Sequence, residues 1–205
     1  MTTPQNSVTT PPDPSRRSER ARVAVLEAAM ALCRETGFAQ LTIEAIAKRA
    51  GVSKKTIYRW WPSKGAILLE AVSDLTTSTA SHADTGDVAS DLHTQLTAVV
   101  ALYIPQDTSP VAAIIAAAQR DPALATQLRE QIIRPNIVLF EDRLRSAQRA
   151  GEIPEDADLG VALDLLYGPI YHRLAFHLGM PDADELRTRI AHVLAGLRHV
   201  GDTAG

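Results

Sequence analysis

At 205 residues, with 45% apolar and 22% charged side chains, the chain has the make-up of a folded globular protein, not of a disordered or collagen-like one. No apolar run approaches the ~18–20 residues of a membrane span. The opening MTTPQNSVTTPPDPSRR lacks a signal-peptide core, and the lone Cys33 excludes an internal disulfide and fits a reducing cytoplasm. The net charge of −3 conceals an asymmetry: residues 15–64 hold eleven Lys/Arg against four Glu, and the rest holds ten basic against twenty acidic groups. A basic head on an acidic body predicts that one end meets phosphate and the other avoids it.

In chain order, residues 1–14 carry four prolines among Thr, Ser and Asn and read as a disordered tail. Val25, Leu26, Ala29, Leu32 and Cys33 recur at helical spacing, which predicts a helix from about 18 to 36 that stops at Gly37. Thr42 is a natural N-cap for a short second helix with Ile43, Ile46 and Ala47 facing inward. Ala50-Gly51-Val52 breaks that helix, Ser53 caps a third through Trp60, and Pro62-Ser63 marks the next start. Beyond residue 64 the pattern predicts helices at about 64–80, 88–104, 110–119, 122–133, 135–150, 158–178 and 183–199. Pro135 should kink or split its helix, and Gly168-Pro169 should bend the next. The expected fold is all-α, with a helix-turn-helix domain at 15–64 and a helical ligand-binding and dimerisation domain at 65–205.

The informative stretch is LTIEAIAKRAGVSKKTIYRWWPSK, from Leu41 to Lys64. Two short helices joined by a tight glycine turn form a unit whose second helix enters the major groove of DNA. Ala45 is small where the two helices cross, and Gly51 can take the positive φ of the turn. Val52 and Ile57 point inward, which leaves Lys54, Lys55, Thr56, Tyr58 and Arg59 outward beside the capping Ser53. Lys54 and Lys55 open the recognition helix, and lysine donates to guanine O6/N7. Thr56 can meet a thymine methyl or a phosphate, and Trp60 can stack on the groove wall or meet a base edge. Thr42 and Lys64 stand at helix starts, where hydroxyl, ammonium and free N–H groups hold phosphate. Arg16, Arg17, Arg20 and Arg22 form a basic arm that either follows DNA or serves solubility.

At these residues the sequence resembles the TetR family of bacterial repressors. The resemblance is carried by Gly37-Phe38, Thr42 with Ile46-Ala47, Ala50-Gly51-Val52-Ser53, Thr56-Ile57-Tyr58 and Trp61-Pro62-Ser63-Lys64. It is specific over about residues 20–70. Two departures stand out: Gly65 replaces a common acidic residue, with a looser start of helix four expected, and Trp60-Trp61 replaces a smaller aromatic pair. The resemblance implies phosphate contacts from Thr42, Tyr58 and Lys64, and a Trp61 that seals the joint with helix four. It also implies a repressor released from a palindromic operator when a small molecule swings helix four.

In the body, the helices at about 158–178 and 183–199 are apolar on broad faces, from Val161 to Leu174 and from Ile190 to Leu197, so a homodimeric four-helix bundle is expected to cover them. Leu96, Val99, Tyr103, Ile114, Ile137, Phe140, Tyr167 and Tyr171 are the candidate ligand contacts. Few ionisable groups share those faces, which points to a largely apolar effector. His172/His177 and His192/His199 lack the i, i+4 spacing of a helical metal site. No H-E-x-x-H, G-x-S-x-G, Walker loop or Rossmann fingerprint occurs, so no catalytic residue, cofactor or metal is expected.

Overall fold

The computed structural model describes residues 14–79 and 83–202, with side chains described for 18–77 and 83–198. Residues 1–13 of the expected tail, and the side chains of Arg16 and Arg17, lie outside the described residues, while Pro14, read as tail, opens the first helix. No strand occurs among the described residues. The helices are α1 (Pro14–Gln40), α2 (Ile43–Ala50), α3 (Lys54–Tyr58), α4 (Lys64–Thr79) and α5 (Val88–Ala101), then α6 (Pro110–Ala118), α7 (Pro122–Leu128), α8 (Arg134–Arg149), α9 (Leu159–Phe176) and α10 (Ala183–Asp202).

Val25, Leu26, Ala29 and Cys33 of α1 are buried against α2 and α4. Gly37 breaks the helical dihedrals with φ 77° and ψ 163°, as its sequence position predicts, and one further turn then carries the chain to Gln40. Helix α4 is the strut between head and body. It packs on α1 at one side and on α6, α7 and the following turn at the other, so Ile67, Leu68, Leu69 and Val72 are all almost fully buried. The glycine at 65 has a physical reason. A Cβ there would lie 3.4 Å from Leu124 Cδ2, so a side chain at 65 would start in van der Waals contact with α7. The start of α4 is not loose, because Ser63 Oγ accepts the Ala66 N–H at 3.2 Å.

The interruption expected at Pro135 falls in the turn just before it. A wide π turn over Arg129–Ile133 joins α7 to α8, with the Arg134 N–H reaching Arg129 O. The extra residue takes up the backbone that Pro135, lacking an N–H, cannot bond. Helix α9 carries Pro169 within its length and is assigned as one helix from Leu159 to Phe176.

The expected dimer face needs correction. Leu186, Ile190, Val193, Leu194 and Leu197 of α10 are buried within the chain, where α10 packs on α5 and α9. They form ordinary core, because α5 supplies the apolar face they need. What remains outward is Val161 and Leu165 of α9, each 49% exposed, with Phe176 at 67% and Leu178 just beyond at 56%. On α10 the exposed positions include the small Ala191, Ala195 and Gly196.

A buried ionic knot fixes the far end of the body. Arg143 Nε and Nη2 both reach Asp91 Oδ2 at 2.7 Å, and Nη2 reaches Glu152 Oε1 at 3.3 Å. Asp91 also accepts the Thr85 hydroxyl at 2.6 Å and its N–H at 3.1 Å. Burial pushes the Asp91 carboxyl up, but these donors and the guanidinium outweigh it and leave the group below its ordinary value. Arg143→Met is therefore expected to lower unfolding free energy by ~3–5 kcal/mol at pH 7, because it strands a buried carboxylate. A depressed carboxyl stabilises the fold above its unfolded value of ~3.9 and loses that contribution as the pH falls through the folded value. Urea titrations should show the gap between the two proteins closing in acid.

Candidate nucleic-acid interface and inner cavity

The head is built by caps. Thr42, at φ −130° and ψ 152°, accepts the Ala45 N–H on its Oγ at 3.1 Å and starts α2. Gly51 ends α2 in the left-handed region at φ 66° and ψ 29°, which a side chain would disfavour by ~1–2 kcal/mol. Ser53 Oγ accepts the Thr56 N–H at 3.1 Å and shares a 2.9 Å hydrogen bond with the Thr56 hydroxyl. Helix α3 is only five residues long. Ile57 is fully buried beneath it, and Trp61 is 3% exposed just after it. Thr42, Ser53, Lys54, Lys55, Tyr58 and Arg59 are exposed, whereas Thr56 and Trp60 are half-buried.

These groups are held before any DNA arrives. Arg49 forms a two-pronged pair with Glu35 at 2.8 Å, which ties α2 to α1. Lys54 Nζ rests 3.0 Å from Glu44 Oε1, so phosphate or a base edge must compete with that carboxylate. The Arg59 guanidinium stacks over Trp60 at 5.1 Å, and Trp60 meets Trp61 edge-on at 5.3 Å. Trp61 donates its indole N–H to Glu70 Oε2 at 2.6 Å, and the other Glu70 oxygen pairs with Arg22. Arg22 thus faces α4, while Arg20 is exposed.

Lys64 sits differently from its expected place at a phosphate. Its ammonium donates to Phe38 O at 2.9 Å, Leu41 O at 2.8 Å and Ala39 O at 3.3 Å, and lies 4.7 Å from the Phe38 ring centroid. Phe38 O also accepts the Leu41 N–H at 3.2 Å, and Lys64 adds donors to the carbonyls of the link between α1 and α2.

In the body a cavity of about 290 Å³ opens between α4 and α9. Its wall takes Val72 and Thr76 from α4, Gln95 and Val99 from α5, Leu102 and Tyr103 just beyond, and Val111 and Ile115 from α6. Leu128, Ile132, Ile133, Asn136 and Ile137 complete one side, and Leu163, Asp164, Tyr167, Gly168 and Tyr171 of α9 the other. Of the expected contacts, Val99, Tyr103, Ile137, Tyr167 and Tyr171 line it. Leu96, Ile114 and Phe140 do not. They are at most 1% exposed and fill the surrounding core, Phe140 with its ring 5.4 Å from that of Tyr167. The apolar search passed over Thr76, Gln95 and Asn136. Each stands four residues from an apolar wall residue (Val72, Val99 and Ile132), so continuing the helical face would have found them. Gln95 Nε2 donates to the Tyr167 hydroxyl at 2.7 Å. Burial pushes the phenols of Tyr103, Tyr167 and Tyr171 up, which keeps them protonated at neutral pH.

A capped helix, a glycine turn and a short exposed helix, carried by a helical body with an apolar cavity, define a helix-turn-helix transcription regulator. The family model described as "Bacterial regulatory proteins, tetR family" matches residues 25–71, and that described as "Tetracyclin repressor-like, C-terminal domain" matches 82–193. The chain belongs to the TetR family of DNA-binding transcription regulators. It is 34% identical over 158 residues to the HTH-type transcriptional regulator YdeS of Bacillus subtilis, spanning 77% of this chain and 80% of that one. The crystal structure of the TetR family transcription regulator SCO0332 is 37% identical with a TM-score of 0.72, over 86% of this chain and 98% of the other. The DNA-binding transcriptional repressor TetR of Mycobacteroides abscessus is 26% identical over 170 residues, 82% of this chain and 88% of that one.

The Lys64 geometry makes a prediction of its own. Lys64→Met should destabilise the head by ~1.5–3 kcal/mol, the worth of hydrogen bonds to a charged donor. Hydrogen exchange at residues 38–50 reads this directly, and unchanged protection there would show that the ammonium is not needed to hold the joint.

Proposed function

We propose that the protein is a homodimeric repressor that grips a palindromic operator and lets go when a small, largely apolar ligand fills the cavity. The observation that carries this reading is that α4 serves both ends. Val72 and Thr76 are cavity wall, and Glu70 on the same helix clamps Trp61 and Arg22 beside the recognition helix. A ligand that fits better with α4 displaced pulls that clamp with it. About 3 kcal/mol of differential affinity per site gives a large response.

In this reading Lys54 and Lys55 reach base edges, while Thr42, Ser53 and Tyr58 hold phosphate with the free N–H groups that open α2 and α4. Arg59 and Trp60 add a stacked cationic surface at the groove wall. Lys64 supports the phosphate site from behind by fixing α4 to the end of α1. The reading head closes near residue 64 and the effector and dimer domain follows, with α4 shared between them. Two copies meet through the Val161, Leu165 and Phe176 stripe of α9 and the small residues of α10, in a twofold pair that suits half-sites ~34 Å apart. No described helix is long and apolar enough to cross a membrane. A cytoplasmic site of action goes with the reading. The repressor sense follows the Mycobacteroides abscessus relative.

Fluorescence anisotropy on DNA flanking the gene tests the DNA half. A dimer that neutralises ~6–10 phosphates gives a slope of log K against log[salt] of roughly −5 to −9, and a slope near zero refutes DNA binding. Lys55→Ala should weaken binding and flatten that slope by ~1 per protomer if the side chain meets phosphate, or relax sequence preference by ~1–3 kcal/mol if it reads a base. Leu165→Glu, at an exposed position that the fold does not need, should turn the dimer into monomers in sedimentation. A dimer that persists would move the interface off α9.

A further inference from the structure

The cavity wall is electrostatically one-sided. Among the described residues Asp164 is the one acidic side chain of the wall, and neither Lys, Arg nor His lines it. Asp164 stands on α9 at i, i+3, i+4 and i+7 with Tyr167, Gly168 and Tyr171, so the carboxylate and two phenols share the helix face that lines the cavity. It is solvent-exposed, which puts it at the mouth.

The other polar side chains of the wall are already engaged. Thr76 Oγ donates to Ser73 O at 3.1 Å, Gln95 to Tyr167 at 2.7 Å and Asn136 to Ile132 O at 2.7 Å, while the Tyr103 and Tyr171 rings pack on each other. Asp164 has no hydrogen-bond or ion-pair partner among the described residues. Tyr103 and Tyr171 stand edge to face at 6.4 Å, and electron-rich ring faces of this kind attract cations. The acidic surplus of the body adds a field of the same sign. An anion would enter past a like charge and find no counter-charge inside.

Building on the reading of this cavity as the effector site, we propose that its effector is a lipophilic cation. An apolar body fills the aliphatic wall, and an ammonium or amidinium head pairs with Asp164 against the tyrosine rings. Ligand charge, more than ligand shape, then separates inducers from bystanders.

Three probes of matched chain length test this by calorimetry on the full-length protein, below their micellar concentrations: octyltrimethylammonium, 1-octanol and octanoate. The cation should bind ~10-fold or more tighter than the alcohol and the carboxylate weakest, with 1-octanol competing for the same site. Asp164→Asn should bring the cation to within ~3-fold of the alcohol. Octanol or octanoate binding as tightly as the cation overturns the charge assignment and leaves the cavity an effector site. So does an Asp164→Asn protein that keeps the full preference. Binding of none of the three overturns the effector reading and this inference together.

Discussion

A five-residue helix has barely one turn of backbone hydrogen bonds, far below the ~12–15 residues at which helices begin to persist alone in water. The recognition helix therefore exists because other parts hold it. Ser53 Oγ accepts the Thr56 N–H of its first turn, Ile57 is sunk completely beneath it, and Trp61 is anchored just past its end. Burial of those two side chains is worth several kcal/mol at the usual ~1.5–3 kcal/mol each, more than the turn itself can supply. Every property of the reading surface is thus set by what lies under it, chiefly α1 and α4.

That dependence is why the proposed coupling of body to head runs through α4. Its first turn is bound to the end of α1 through Lys64, its middle carries the Glu70 clamp, and its later turns face the cavity. Gly65 faces Leu124 of α7, so the head-proximal turn of α4 touches the body as well. Close packing on both sides leaves little room for α4 to move without its neighbours, and the proposed release uses that constraint to carry a change at the cavity to the head. The ionic knot of Arg143, Asp91 and Glu152 sits apart from this path and keeps α5 and α8 fixed.

The head was legible in the sequence because its signals are local. Caps at Thr42 and Ser53, the left-handed glycine at 51 and the inward Ile57 are each dictated within a few residues. The body was less legible because its questions are non-local. A leucine that fills the core and one that lines a cavity share one helical period, so Leu96 and Ile114 looked like Val99 and Ile137. The apolar face of α10 resembled a dimer seam, and only its packing on α5 shows it to be internal. The π turn before Pro135 had no sequence signal beyond the proline, since several local adjustments relieve the same clash. Lys64 is the instructive case. Its place at a helix start suggested phosphate, and the carbonyls of Phe38 and Leu41, more than twenty residues earlier, also take its donors.

The central claim is that the cavity and the reading head move as one through α4. Dipolar spectroscopy between two spin labels at Lys48→Cys, an exposed site on α2, measures it directly, since Cys33 is 1% exposed and shielded from labelling. The account predicts one narrow distance in the dimer on operator DNA, and a distinct second distance when Ile115→Trp fills the cavity from within. The same distribution in both proteins, with the dimer and fold intact, would contradict it.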